Sequence, residues 1–253
     1  MHKNSSRLVF GIFAVISFGL NAACTQPAAN TNVVQTTTPT ATPVTAQTTS
    51  ADGDWAGYNR TLTSERFSPL NQITTENVAN LKQVCAFDLG EGGNFQSGII
   101  VVNNTLYVTT DANTFAIDPA TCQQKWKHHY EKPTPVGLRV NRGVAYADGK
   151  VFRGINTGYL MALDPNTGQF LWESKMADPA KGESIPAAPI VWNGMVFIGQ
   201  AGGDNKGVRG RMMAFSTTDG KQLWSFDLVP MTGPGSDTWP ADSPENPRTG
   251  GAT

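Results

Sequence analysis

The 253-residue chain has little charge, and no surplus of either sign. Lys and Arg number 19, Asp and Glu 20, and the formal net charge is −1. So balanced a chain has no electrostatic footprint for nucleic acid and no polybasic surface for anionic lipid, and neither partner is expected. Long hydrophobic runs are also missing. The longest uncharged apolar stretch, residues 8–20, is 13 residues, short of the roughly 20 that span a bilayer. Cysteines are few: Cys24, Cys85 and Cys122. The adjacent pair His128 and His129 falls at the end of an expected strand and reads as exposed side chains rather than metal ligands. What the chain does have is glycine and proline, 26 and 16 of its residues, a composition suited to a turn-rich β protein.

The amino terminus reads as a targeting segment. Lys3 and Arg7 precede the apolar run, whose length suits a signal peptide. It ends in Asn21-Ala22-Ala23-Cys24, which resembles a bacterial lipoprotein cleavage site, with Leu20 one place early. The competing reading is an ordinary cut after Ala23 that leaves Cys24 as a thiol. The lipoprotein reading is favoured, which makes residues 1–23 a signal peptide and Cys24 a lipid anchor at the periplasmic face of a bacterial membrane. Residues 25–51 carry no charge and almost no large apolar side chain, so 24–52 is expected to be a disordered tether. In an exported chain Cys85 and Cys122 are either a disulfide or two buried thiols.

From residue 53 onward the chain repeats. AIDPATCQQKW, ALDPNTGQFLW and AFSTTDGKQLW begin at Ala116, Ala162 and Ala214 and end at Trp126, Trp172 and Trp224. All keep a ten-residue step from Ala to Trp, and each unit reads as four short strands separated by turn residues such as Asn103-Asn104, Asp148-Gly149 and Asn193-Gly194. Units spaced by 46 and then 52 residues are the mark of a β-propeller. Each Trp is expected to dock on the Ala and the turn of a neighbouring blade. Asp118 and Asp164 belong to those turns, where an aspartate bonds its own backbone. Residues 53–229 are expected to hold about four blades, including a strand at 82–89, and 230–253 a Pro/Gly-rich loop. The third unit departs from the pattern: about seven extra residues, within Gln200-Ala201-Gly202-Gly203-Asp204-Asn205-Lys206-Gly207-Val208-Arg209-Gly210, precede its Ala. Glycines there either bring backbone N–H groups to an anion or form a long mobile hairpin.

Four features together resemble the quinoprotein alcohol dehydrogenases, pyrroloquinoline quinone (PQQ) enzymes on an eight-bladed propeller. They are the repeat, the opening Arg66-Phe67-Ser68-Pro69-Leu70 with Asn77-Val78, the motif Val140-Asn141-Arg142-Gly143-Val144-Ala145-Tyr146, and Gly202-Gly203-Asp204 with Gly207-Val208-Arg209-Gly210. The resemblance implies that Arg142 pairs with the polar edge of the quinone, that Ala201, Gly202 and Gly203 meet a PQQ carboxylate through their backbone, and that Asp204 ligates calcium. It implies an alcohol-type substrate and a cytochrome or quinone as electron acceptor, with calcium as Lewis acid. Departures are plain. Val136 and Gly137 stand where many members carry two adjacent cysteines, Gln96 where a glutamate is expected, and Pro186 where a threonine is. The family's stacking tryptophan and its catalytic aspartate fall after Thr253, so no catalytic residue is assigned. Four blades of eight would leave raw edges, and self-association is expected. The alternative is a non-catalytic propeller lipoprotein serving as an interaction scaffold in outer-membrane assembly.

Overall fold

The computed structural model describes residues 53–91, 93–131 and 138–252. The signal peptide, the Cys24 anchor and the tether lie outside them, as do Val136 and Gly137.

Among the described residues twelve strands form three antiparallel four-stranded sheets, each a simple meander. Blade 1 holds β1 (Ile100–Val102), β2 (Thr105–Thr109), β3 (Asn113–Ile117) and β4 (Gln124–His129). Blade 2 holds β5 (Ala145–Ala147), β6 (Lys150–Ile155), β7 (Tyr159–Leu163) and β8 (Phe170–Lys175). Blade 3 holds β9 (Ile190–Trp192), β10 (Met195–Gly199), β11 (Arg211–Ser216) and β12 (Gln222–Asp227). The fold is therefore all-β and propeller-type, with three blades among the described residues where four were expected. The missing fourth comes from residues 53–99. They add one bridge to the free edge of β1, Trp55 to Val101, and the strand expected at 82–89 pairs with no described residue.

The ten-residue step has a geometric meaning. It makes Ala116 and Trp126, Ala162 and Trp172, and Ala214 and Trp224 cross-strand partners, with an irregularity of register just after each alanine. The tight turn between them is closed by its first side chain. Asp118 Oδ1 accepts from the N–H groups of Ala120 and Thr121, and Asp164 Oδ1 from those of Asn166 and Thr167 and from the Thr167 hydroxyl. These bonds hold both carboxyls below their ordinary range, for Asp164 chiefly through the Thr167 hydroxyl. In the third unit Ser216 and Asp219 share the task.

The turns of blades 2 and 3 each receive an indole from the blade before. Trp126 donates Nε1–H to Pro165 O at 2.9 Å, and a methyl group on Gly168 would sit 2.6 Å from its ring. Trp172 donates to Thr217 O at 3.3 Å and lies over Gly220 in the same way. Two residues on, His128 Nδ1 bonds Gly168 O at 2.9 Å, and the Ser174 hydroxyl donates to Gly220 O. So His128 is half-buried at a junction rather than exposed. Between the sheets, alternate residues divide the core. Val151, Met161 and Leu163 of blade 2 meet Ile100, Val102 and Tyr107 of blade 1, while Phe152, Leu160 and Ala162 meet Val196, Met213 and Phe215 of blade 3.

Arg153 on β6 lies fully buried between blades 1 and 2. It donates to the Thr114 hydroxyl and to the carbonyls of Thr110 and Asp111 at 2.9–3.0 Å. Burial pulls its pKa down to about 10, so it stays charged at neutral pH.

Candidate functional site

The segments entering the three blades lie backbone to backbone. Gly98 N donates to Arg142 O at 2.9 Å, and Arg142 N to Pro186 O at 2.8 Å. Ser184 and Ala201 exchange both main-chain bonds, at 2.8 and 3.1 Å, and Ala252 N reaches Gln200 O at 2.9 Å. Glycine is required where these segments touch. Gly143 has φ +116°, and a Cβ there would meet Gly98 O at 2.5 Å. Gly202 has φ +120° and faces Gly182 O at 2.3 Å by the same measure.

Asn141 anchors the Asn-Arg-Gly motif. Its Oδ1 accepts from the Thr109 hydroxyl at 2.7 Å and from Gly143 N at 3.0 Å, and its Nδ2 donates to Gly154 O at 2.8 Å. Its neighbour Arg142 thus has both main-chain groups fixed. The Arg142 guanidinium is the part left over: half-buried, with no hydrogen bond or ion pair to any described residue. It lines a cleft of about 890 Å³ that runs along the innermost strands past Tyr58, Arg60, Tyr146 and Pro189.

The glycine insertion is tied down along its length and is no free hairpin. Asn205 Nδ2 donates to Gly182 O, Gly207 N to the Thr249 hydroxyl, Gly210 N to Gly250 O and Gly250 N to Val208 O, at 2.6–2.9 Å. The close approach that its glycines permit is to the chain itself, since a Cβ on Gly203 or Gly210 would strike Gly251. Ala201 has both main-chain groups committed to Ser184. The N–H groups of Gly202, Gly203 and Asp204 bond no described residue. Asp204 is exposed, and its carboxylate has no partner among the described residues. On the far side of the insertion, Lys181, Lys206, Arg209 and Arg211 line a second cleft of about 520 Å³ with Glu183 and Asp227. Arg211 is neutralised there by Glu183 at 3.3 Å and bonds the Oε1 of buried Gln200 at 2.5 and 2.8 Å.

The residues singled out in the sequence are therefore connected but not gathered. Ser184 and Pro186 join the Arg142 segment to the Ala201 segment, and the cleft of about 890 Å³ is lined by Arg142 and not by Asp204. The free guanidinium suits the anionic edge of a quinone, and the free N–H groups suit a carboxylate. A metal fits less well: no group of three His, Cys, Asp or Glu side chains occurs among the described residues, and Asp204 alone does not meet the six to eight oxygens of calcium. Gln96 is exposed and Pro186 contributes its carbonyl to Arg142. Sequence reasoning missed Asn141 as the hub, Arg153, and Arg248, which draws the 230–252 segment together through Pro230 O, Pro240 O and Asp242. The only signal for Asn141 was its place inside the motif.

Comparison with known proteins places the chain in a family. Residues 55–253 match the family model "PQQ: Glucose/ethanol/alcohol dehydrogenase, beta-propeller domain". The lanthanide-dependent methanol dehydrogenase of Methylacidiphilum fumariolicum is 38% identical over 184 residues, covering 68% of this chain and 30% of that protein. A quinohemoprotein alcohol dehydrogenase of Pseudomonas putida is 35% identical over 204 residues, covering 78% and 29%. Among solved structures, a europium-containing methanol dehydrogenase superposes with a TM-score of 0.63 at 35% identity, over 70% of this chain and 32% of that one. The quinohemoprotein alcohol dehydrogenase of Comamonas testosteroni gives 0.65 at 30% identity, over 77% and 28%. The chain spans about 30% of the length of the curated relatives it matches. The chain belongs to the PQQ family of glucose, ethanol and alcohol dehydrogenase β-propellers.

Proposed function

We propose that the chain supplies one wall of the cofactor site in a PQQ-dependent dehydrogenase that oxidises an alcohol. The observation that carries this is the Arg142 guanidinium, left without a partner while Asn141, Gly98 and Pro186 fix the residue around it. A scaffold with no ligand gains nothing from a half-buried unpaired cation. When bound, PQQ supplies the two-electron acceptor for the substrate's C–H bond. This chain's part is binding and orientation. Arg142 offers paired donors to an anionic edge of the ring system, and the N–H groups of Gly202 and Gly203 take a carboxylate. Asp204 contributes one hard oxygen to a cation, calcium in the first instance; relatives named for lanthanide and europium make a trivalent ion a second choice. No step is assigned to the metal. The electron acceptor is proposed to be a cytochrome or a quinone, and the setting the periplasmic side of a membrane reached through Cys24.

The test is PQQ binding by equilibrium dialysis with calcium or a lanthanide present. We expect weak binding, because the described residues leave the metal short of ligands. We expect Arg142→Gln to weaken it by roughly tenfold or more, the worth of a charge-assisted hydrogen bond. Equal affinity in wild type and variant overturns the assignment. Binding tighter than about 1 μM, some 8 kcal/mol, overturns the view that the metal site is incomplete.

A further inference from the structure

The turn that closes β3 and β4 differs from its two counterparts. Gly168 and Gly220 each lie beneath an indole, with φ of +70° and +73°. The same place in blade 1 is Cys122, with φ +55°. Cys85 reaches it instead of a tryptophan, and the two sulfurs are bonded.

The segment that Cys85 belongs to has the exposure pattern of a strand. Cys85, Phe87 and Leu89 are half-buried and alternate with exposed Val84, Ala86 and Asp88. Phe87 meets Phe115 edge-on at 6.0 Å, and Leu89 joins it against Val108 and Ile117. Yet no main-chain N–H or C=O of residues 82–89 bonds any described residue. A strand is ordinarily held by its ladder, and this one has none. Two half-buried side chains do not offset the entropy of ordering six residues, so the covalent link decides where the segment lies.

We propose that the Cys85–Cys122 disulfide is a redox-sensitive latch in place of the tryptophan dock: oxidised, it lays residues 84–89 on blade 1, and reduced, it releases them. The reductant is a dithiol. Exchange breaks the S–S bond, gives each cysteine sulfur one electron and one proton, and converts the dithiol to its own disulfide. Both cysteines are only half-buried, so the bond can be reached. Release bares Val108, Phe115 and Ile117 but leaves the junctions of blades 2 and 3 untouched, since neither contains a cysteine.

Chymotrypsin cleavage after Phe87, followed by mass spectrometry on the full chain with and without dithiothreitol, tests this. Samples are reduced after quenching, so that linked fragments are counted. Reduction is expected to speed cleavage at Phe87 by roughly fivefold or more while Phe152 and Phe215 stay resistant, because cutting tracks the open population. Cys85→Ser with Cys122→Gly, which gives the turn the glycine of the other blades, is expected to behave like the reduced chain without reductant. A smaller acceleration at Phe87 overturns the latch. So does an equal acceleration at Phe152 and Phe215, which would make the disulfide a staple of the whole fold.

Discussion

Trp126 and Trp224 occupy the same position in identical meanders, each opposite the alanine of its repeat, yet the first is 7% exposed and the second 41%. The difference lies outside their own blades. Trp126 has the Pro165 carbonyl and the Gly168 turn of blade 2 to lie on, whereas Trp224 touches Phe197 of its own sheet and has no following turn among the described residues. Phe226, two residues further, is exposed where His128 and Ser174 each bond a glycine carbonyl. A tryptophan in this repeat thus packs on an aromatic ring of its own sheet and is covered only where a neighbouring blade supplies a turn.

That contrast can be broken by substitution. Trp126→Ala is expected to cost about 3–5 kcal/mol, the usual loss for a large buried aromatic, and to show as a clear drop in the denaturant midpoint. Gly168→Ala attacks the same dock from the other side, with a methyl group driven into the ring and a residue forced to hold φ +70°; about 2–4 kcal/mol is expected by thermal unfolding. Trp224→Ala should change stability by less than about 1 kcal/mol, as for a surface residue away from any dock. If Trp224→Ala costs as much as Trp126→Ala, docking is not what the indole does.

A smaller effect sharpens the comparison between the two closed junctions. At the first, a histidine bonds the turn glycine; at the second, a serine does. Burial holds the His128 pKa below its ordinary 6.5. A depressed folded-state value means that the unfolded chain binds the proton first. The stability His128 provides is therefore whole above pH 6.5 and is lost as pH falls through the folded value. We expect His128→Gln to flatten the pH dependence of unfolding in that window. Ser174→Ala should leave that dependence unchanged. An identical slope in the His128 variant would show that another group titrates there.

Much of the fold was legible. The Ala-to-Trp step fixed register and the turn residues fixed strand ends, because both are short-range. The fourth blade was misread for a physical reason. Residues 82–89 alternate as a strand should, but alternation reports one covered face and says nothing about a hydrogen-bonded edge. Arg153 and Asn141 were illegible in their roles because their partners, Thr114, Thr110 and Thr109, lie 32–43 residues away in another blade. The motifs located Arg142 and Gly202-Gly203-Asp204 but not the distribution of free and used N–H groups. The commitment of Ala201 to Ser184 depends on a chain crossing that no local pattern announces.

The segment from Ser184 to Pro186 acts as a caliper. One of its ends grips Ala201, the other Arg142, and a single intervening residue, Ile185, is wedged fully buried against Gly154. One residue added to an extended segment lengthens it by about 3.3 Å. That is longer than a hydrogen bond, so a ligand gripped at both ends would lose one grip entirely. The spacing between the Arg142 backbone and the glycine loop therefore changes only in whole-residue steps.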